Sequence, residues 1–105
     1  MNPLSSQKRI AFGYRRGTQQ RIEIYEGQAA CVKLIFHMYL CGSSIASIKE
    51  TLEGINAPSP YNSMRWSKQT LANILSNPHY TGSDVYPQII SKEDFAAVQI
   101  IKKSK

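Results

Sequence analysis

Apolar and polar residues alternate with a period of two near the start of the chain, which is the pattern of a β-strand with one buried face. Ile10, Phe12 and Tyr14 alternate with small or polar residues, and the same period resumes over residues 22–25. Residues 16–20, between these two runs, have the composition of a turn. We therefore expect a short β-hairpin whose loop carries positive charge.

Apolar residues dominate from residue 28 to residue 40 and recur at the spacing of one helix face. This face consists of Val32, Ile35, Phe36 and Tyr39. Gly42 follows immediately and is a typical C-terminal stop. The pattern predicts a central core helix.

A second helix is predicted to begin after Ser43 or Ser44, since a serine hydroxyl can cap the first turn, and to end near Gly54. Its apolar face consists of Ile45, Ile48 and Leu52. Two prolines in the following residues, 56–60, forbid a continuous helix. The second helix is therefore separated from the next one by a loop.

Ser67 has the chemistry of an N-cap for a third helix that runs to about Ser76, where Asn77-Pro78 ends it. The inward face of this helix is Leu71, Ile74 and Leu75. The opposite face is polar and consists of Lys68, Gln69, Ala72, Asn73 and Ser76. A surface so rich in hydrogen-bonding groups is available for recognition. A short extended segment is expected from Tyr80 to Tyr86.

A fourth helix begins with a capping box formed by Ser91 and Asp94, and Ile90 and Phe95 occupy the positions of a hydrophobic staple. The fold class is therefore α+β: a mostly helical single domain of about four helices with a small β-hairpin. Residues 1–8 are expected to be an interdomain linker and residues 9–105 the domain. The second and third helices suggest a helix-turn-helix-like arrangement, although the connection from Ile55 to Trp66 is longer than in the simple motif.

The net charge of the chain favours one class of partner. The chain has 13 Lys and Arg against 7 Asp and Glu, a net charge of +6, which favours a polyanionic partner such as nucleic acid. No apolar run is long enough to suggest a membrane span, and no secretory signal opens the sequence. We expect an intracellular, cytoplasmic protein.

Candidate catalytic and metal-binding residues are sparse. His37 and His79 have no acidic or cysteine partner at ligand spacing, and Cys31 and Cys41 form no CxxC pair. Buried packing is the favoured interpretation of Cys31. No phosphate loop or nucleophile elbow is present, and no paired-carboxylate arrangement stands out, since the start of the fourth helix explains Glu93-Asp94. We expect no cofactor, no metal and no enzymatic activity from this chain by itself.

An ordered set of motifs resembles the recombinase domain of large serine recombinases. The motifs are FGYRR at 12–16, VKLIFHMY at 32–39, GSSI at 42–45, Trp66, ILSNPHYTG at 74–82 and IISKEDF at 89–95. The resemblance departs from the family in two places. Ala11 stands where the family often has proline, and Tyr25-Glu26-Gly27-Gln28 replaces the commoner Asp-Pro-acidic helix start, which weakens that cap.

The resemblance implies a DNA-binding fragment of a bacterial or phage-derived site-specific integrase or transposase that recognises double-stranded attachment-site DNA for integration or excision. It also implies that the nucleophilic serine lies in another domain and that further recombinase subunits are partners. The residues it suggests for DNA contact are Arg15, Arg16, Arg65, Lys68, Gln69, Thr70 and Asn73.

Side-chain chemistry divides this set. Arg15, Arg16 and Arg65 suit phosphate or narrow minor-groove contacts, which set affinity and salt dependence. Gln69 and Asn73 carry donor and acceptor groups that can match adenine. Lys68 can reach a guanine or a phosphate.

Two alternatives remain open at this point. One is a protein-interaction module with a basic surface. The other is single-strand or RNA binding through Tyr14, Trp66 and Tyr80, which requires those rings to be exposed. Trp66 is more often a core anchor than a stacking platform in such a position, and a structural hydroxyl is at least as good an interpretation of Tyr80.

Overall fold

A computed structural model describes residues 10–104, so the predicted linker over residues 1–8 lies outside the described part of the chain. The elements are β1 (Tyr14–Arg16), β2 (Ile22–Ile24), α1 (Glu26–Leu40), α2 (Ile45–Gly54), α3 (Lys68–Leu75) and α4 (Lys92–Lys103). Two short 3-10 turns cover Thr18–Gln20 and Pro78–Thr81. The predicted α+β class is confirmed, with four helices and one hairpin among the described residues.

The hairpin is antiparallel, with Tyr14 opposite Ile24, Arg15 opposite Glu23 and Arg16 opposite Ile22. Its first strand is shorter than the alternating pattern predicts, because the chain bends before Tyr14. The amide of Tyr14 donates to the carbonyl of Ala11 at 3.2 Å, and Gly13 has a φ of +106° that favours glycine. A turn therefore replaces the beginning of the predicted strand.

Helix α1 begins and ends as its local sequence dictates. Tyr25 occupies the N-cap and makes no side-chain cap hydrogen bond, in agreement with the weak start expected there. At the other end, Gly42 has a φ of +100°, its amide donates to Tyr39, and the amide of Ser43 donates to Met38. This pair of bonds is a Schellman motif, which confirms Gly42 as the stop.

The core surrounds α1, which packs against α2, α3, α4 and β1. Val32 and Ile35 of α1 have no exposed surface, and Leu71 and Leu75 of α3 and Val98 of α4 are equally buried. These residues belong to one contiguous cluster. A single core thus fixes how α3 is oriented relative to the rest of the domain.

The chain after α3 differs from the short extended segment expected over Tyr80–Tyr86. Pro78–Thr81 forms a 3-10 turn, and the Asn77 side chain caps it by accepting from the amide of His79 at 3.0 Å. Proline at the first position of the turn has its φ already fixed, and asparagine is a strong cap, so these two residues start a new turn after ending the helix. Residues 83–86 form a further turn, in which the amide of Ser83 donates to the carbonyl of Tyr86 at 2.9 Å, so the prediction of an extended segment is wrong.

The start of α4 confirms the predicted cap. The Ser91 hydroxyl accepts from the amide of Asp94 at 3.0 Å. Ile90 is buried, and Phe95 packs against the core cluster. Helix α4 therefore begins where the capping box predicts.

Candidate nucleic-acid interface

Helix α3 starts at a hydroxyl cap and turns three apolar residues inward. Ser67 accepts from the amide of Thr70 at 3.0 Å and donates from its own hydroxyl to that of Thr70 at 2.8 Å. Leu71, Ile74 and Leu75 are buried, as predicted. The remaining face is accessible: Lys68, Gln69, Asn73 and Ser76 are all exposed.

The polar face of α3 has internal order. Gln69 Nε2 donates to Asn73 Oδ1 at 2.9 Å, and Lys102 of α4 donates to the hydroxyl of Ser76. Thr70 is half-buried, and its hydroxyl is engaged by the Ser67 cap. Gln69 and Asn73 therefore present a hydrogen-bonded pair of amides to the outside, whereas Thr70 holds the helix start.

A carboxylate on α2 fixes the beginning of α3. Glu53 accepts from the backbone amide of Trp66 at 2.8 Å and from Lys49 Nζ at 3.1 Å. Both hydrogen bonds lower the pKa of the Glu53 carboxyl below its usual range, and the one from Trp66 has the larger effect. Because α2 also packs directly against α3, the two helices form a braced pair despite the long loop between them.

Trp66 is a core residue rather than a stacking platform. It is 2% exposed, its indole Nε1 donates to the carbonyl of Ala57 at 2.8 Å, and its ring packs perpendicular to that of Phe12 at a centroid separation of 5.7 Å. The satisfied N–H and the buried ring account for both ends of the side chain. Trp66 anchors the loop that leads into α3.

The two tyrosines named with Trp66 are buried as well. Tyr14 is 4% exposed and Tyr80 is 1% exposed, and their rings stack at 5.9 Å. The hydroxyl of Tyr80 donates to the carbonyl of Phe12 at 2.7 Å, and that of Tyr14 donates to the carbonyl of Pro87 at 2.7 Å. Single-strand or RNA recognition through these three rings is therefore excluded, since none of them offers a face to a base.

The two neighbouring arginines of β1 lie on opposite faces of the hairpin, because side chains alternate along a strand. Arg15 faces Glu23, with Nε 3.5 Å from Oε1, and its guanidinium lies 5.5 Å from the centre of the Tyr25 ring. Arg16 shares the face of Tyr14, and both line an open groove. The sequence analysis assigned Arg15 and Arg16 the same role, whereas the structure places their side chains on different faces of the hairpin.

This groove has a volume of about 1600 Å³ and runs between the hairpin, the loop after α2 and the segment after α3. A smaller groove of about 160 Å³ adjoins it and extends to Thr70 and Asn73 on α3. The two grooves share Phe12, Pro60, Tyr61 and Asn77 in their walls. Three of the seven residues predicted for DNA contact thus lie in the walls of these two neighbouring grooves, Arg16 in the larger and Thr70 and Asn73 in the smaller.

The other four predicted residues lie outside the grooves. Gln69 is joined to Asn73, Arg65 and Lys68 are exposed near the start of α3, and Arg15 is on the far face of the hairpin. The groove also brings in three residues that the sequence did not indicate, Arg21, Tyr61 and Asn77, together with His79, which the sequence suggested only as a support of the DNA-binding face. A clue to Arg21 was present, since it shares the hairpin with Arg16, but nothing local to residue 61 indicates the groove.

The residues considered for metal or thiol chemistry do not assemble. Among the described residues, no group of three or more His, Cys, Asp or Glu side chains could hold a metal ion. Cys31 is buried, and burial raises the pKa of its thiol, which makes it less reactive. His37 is exposed and lies 3.7 Å from the Cys41 sulfur. None of the helices in the described part of the chain is long and apolar enough to cross a membrane.

Comparisons with known proteins define the class. The family model described as Recombinase matches residues 26–105, and the chain therefore belongs to the Recombinase family. This match confirms the resemblance to a recombinase domain. No curated protein matches the sequence.

Two solved structures share the fold. One, described as the crystal structure of an LSR–DNA complex, matches with a TM-score of 0.72 and 24% identity over 91% of this chain and 32% of that chain. The other comes from work on the sequence requirements of the Listeria innocua prophage attP site. It matches with a TM-score of 0.73 and 25% identity over 90% of this chain and 42% of that chain. The chain thus spans less than half of either relative.

Proposed function

We propose that this chain is a duplex-DNA-binding domain of a large serine site-specific recombinase of the integrase or transposase type. The observation that carries the proposal is the exposed polar face of α3, with Gln69 and Asn73 at its centre, on a helix that is capped by Ser67 and braced by α2 through Glu53. A rigid helix with outward amides suits the major groove, which admits an α-helix and displays a distinct donor and acceptor pattern for each base pair.

The proposed roles follow from side-chain chemistry and placement. Gln69 and Asn73 contact base edges, since amide groups can both donate and accept. Arg16, Arg65 and Lys68 are exposed cations that contact phosphates and set affinity. Thr70 positions the helix start through Ser67. Double-stranded attachment-site DNA and other recombinase subunits are the partners of the parent protein in this proposal.

The strand-cleaving serine is assigned to a part of the parent protein outside this chain. Supporting this, three serine hydroxyls, those of Ser44, Ser67 and Ser91, serve as helix caps and accept from backbone amides. A nucleophilic serine also needs an adjacent group that activates it. The proposal therefore gives this chain binding and no bond-breaking chemistry, in a bacterial or phage-derived protein that acts inside the cell.

Selection from a pool of random duplex DNA, repeated over a series of salt concentrations, tests the proposal. The wild-type chain is expected to enrich one sequence, and binding is expected to weaken as salt rises because counterions are released from neutralised phosphates. The double variant Gln69→Ala/Asn73→Ala is expected to lose the enrichment while it keeps salt-dependent binding to random duplexes.

Gln88→Ala provides a matched control, because Gln88 is an exposed amide away from α3. It is expected to select the same sequence as the wild type. If the wild-type chain binds no duplex even at low salt, the proposal fails, and a protein-interaction module with a basic surface becomes the better account of the charge.

A further inference from the structure

The larger groove contains no residue of α3 in its walls, yet it shares four wall residues with the smaller groove, which reaches that helix. Its hairpin wall carries Arg16 and Arg21, and its opposite wall carries Tyr61 and Asn62. The segment after α3 adds Asn77 and His79. These are cations, amides, a phenol and an imidazole, which are groups that donate hydrogen bonds to an anion.

The charge and size of the groove suit a polyanion. Asp84 is the one carboxylate among the described residues that line it, against two arginines. Its volume of about 1600 Å³ is open to solvent and exceeds the roughly 300–1000 Å³ typical of small-molecule sites. An open groove with more cationic than anionic side chains in its walls suits a polymer backbone that passes along it better than an enclosed small ligand.

The position of the groove identifies which part of the polymer would lie there. It meets the smaller groove at Tyr61 and Asn77, and the smaller groove ends at Thr70 and Asn73 on the exposed side of α3. A duplex that places base edges against Asn73 therefore has a sugar–phosphate strand directly beside this entrance. Tyr61, which is 66% exposed, lies at the junction of the two grooves.

We propose that the groove between the hairpin and the segment after α3 receives the DNA backbone next to the base pairs that α3 faces, and that Arg16 and Arg21 contact its phosphates. This inference rests on the proposed function: it gives the phosphate contact of Arg16 a location in the groove and adds Arg21 to the residues that bind DNA. It also assigns different roles to the two neighbouring arginines of β1. Arg16 contacts DNA, whereas Arg15 stays with Glu23 and Tyr25 on the far face.

The inference is tested by measuring how the affinity for one fixed duplex depends on salt concentration. The variants compared with the wild type are Arg16→Gln, Arg21→Gln, Arg16→Gln/Arg21→Gln and Arg15→Gln. Removal of one arginine–phosphate interaction is expected to reduce the slope of log K against log[salt] by about 0.9, and removal of both by about 1.8. Arg15→Gln removes the same charge from the same strand and is expected to leave the slope unchanged. All three arginines are exposed, and thermal unfolding of each variant verifies that the fold is retained.

Hydroxyl-radical footprinting of the same complexes locates the DNA region that the groove protects. The wild-type footprint is expected to extend beyond the bases selected by α3 on one side, and the Arg16→Gln/Arg21→Gln variant is expected to lose that extension only. The inference is overturned if folded variants at Arg16 and Arg21 keep the wild-type slope, or if Arg15→Gln lowers it equally. Absence of duplex binding by the wild-type chain would instead remove the proposed function itself, and the role of the groove with it.

Discussion

Gln69 and Asn73 are joined side chain to side chain across one turn of α3, with Gln69 Nε2 donating to Asn73 Oδ1 at 2.9 Å. An amide pair joined by one hydrogen bond retains both donors and acceptors for a further partner, whichever way the two amide groups are turned. Each residue also restricts the rotamers of the other. Such a pair on a helix surface contributes about 0.2–0.5 kcal/mol, so the bonded arrangement is favoured before any ligand arrives and removes part of the entropic cost of recognition.

The first prediction is that Gln69 and Asn73 contribute to sequence discrimination as a unit. Gln69→Ala or Asn73→Ala alone is expected to cost about 1–3 kcal/mol of discrimination between the selected duplex and random DNA. The double variant is expected to lose less than the sum, by about 0.5–3 kcal/mol, because the first substitution already frees the remaining amide. Dissociation constants of the four proteins on both duplexes measure this coupling.

Retained folding of the three variants is checked by their thermal unfolding, since both residues are exposed. Gln88→Ala, combined with each single variant, supplies the uncoupled reference and is expected to be additive. Additive losses for Gln69 and Asn73 would show that the two side chains contact DNA independently.

Local chemistry accounts for most of what the sequence predicted correctly. The caps at Ser67 and Ser91 and the stop at Gly42 depend on residues within one turn of the helix end, so a short window contains the whole interaction. The same holds for the exposed face of α3, which follows from the helical period alone. Asn77-Pro78 was correctly predicted to end α3, but the same two residues also begin a 3-10 turn where an extended segment was expected.

The groove could not be predicted in this way. Its walls come from the hairpin, the loop at residues 60–62 and the segment at residues 77–86, which are brought together by the packing of Phe12 and Tyr80 around α1. The separation of Arg15 from Arg16 likewise depends on where β1 begins. Such features require the long-range contacts of the folded chain, and no local period encodes them.

The second prediction concerns Trp66. Trp66→Ala is expected to lower the free energy of unfolding by about 3–5 kcal/mol, since it empties a buried site and removes the hydrogen bond to Ala57. Trp66→Phe retains part of the packing and is expected to lose less. Urea denaturation measures both values. At temperatures where Trp66→Phe is folded, its affinity for duplex DNA is expected to equal that of the wild type; a selective loss of affinity would indicate that this ring contacts DNA directly.

The third prediction is an acid-side dependence of stability that originates at Glu53. The pKa of its carboxyl is lower in the folded state than in the unfolded state. The charged carboxylate therefore contributes its full stability above the pKa that the carboxyl has in the unfolded chain. This contribution is lost as the pH falls through the pKa that the carboxyl has in the folded protein. Glu53→Gln is therefore expected to lower the melting temperature at neutral pH, with the difference from wild type shrinking below about pH 4.

Glu50→Gln is the control for this experiment, because Glu50 is an exposed carboxylate on the same helix. It is expected to leave the melting temperature close to that of the wild type across the same pH range. A difference between wild type and Glu53→Gln that stays constant down to pH values well below the carboxylate range would mean that the charge of Glu53 does not hold the amide of Trp66.

The fourth prediction concerns alkaline pH and the buried hydroxyl of Tyr14. Burial, with a smaller contribution from Tyr86, raises the pKa of Tyr14 to about 12. A group with a raised pKa contributes its full stability below the unfolded value of about 10 and loses it as the pH rises towards the folded value. Tyr14→Phe is expected to be about 0.5–1.5 kcal/mol less stable at neutral pH, because the hydrogen bond to Pro87 is removed.

Above pH 10 the same variant is expected to lose less stability than the wild type, so the two unfolding free energies converge. Tyr25→Phe serves as the matched control, since Tyr25 is 43% exposed and its ring contact with Arg15 does not need the hydroxyl. Urea denaturation at several pH values between neutrality and pH 11 follows all three proteins. If the unfolding free energies of wild type and Tyr14→Phe run parallel up to pH 11, the raised pKa of Tyr14 is contradicted. Ionisation of a buried Tyr14 hydroxyl destabilises the wild type above pH 10, and the variant lacks that hydroxyl.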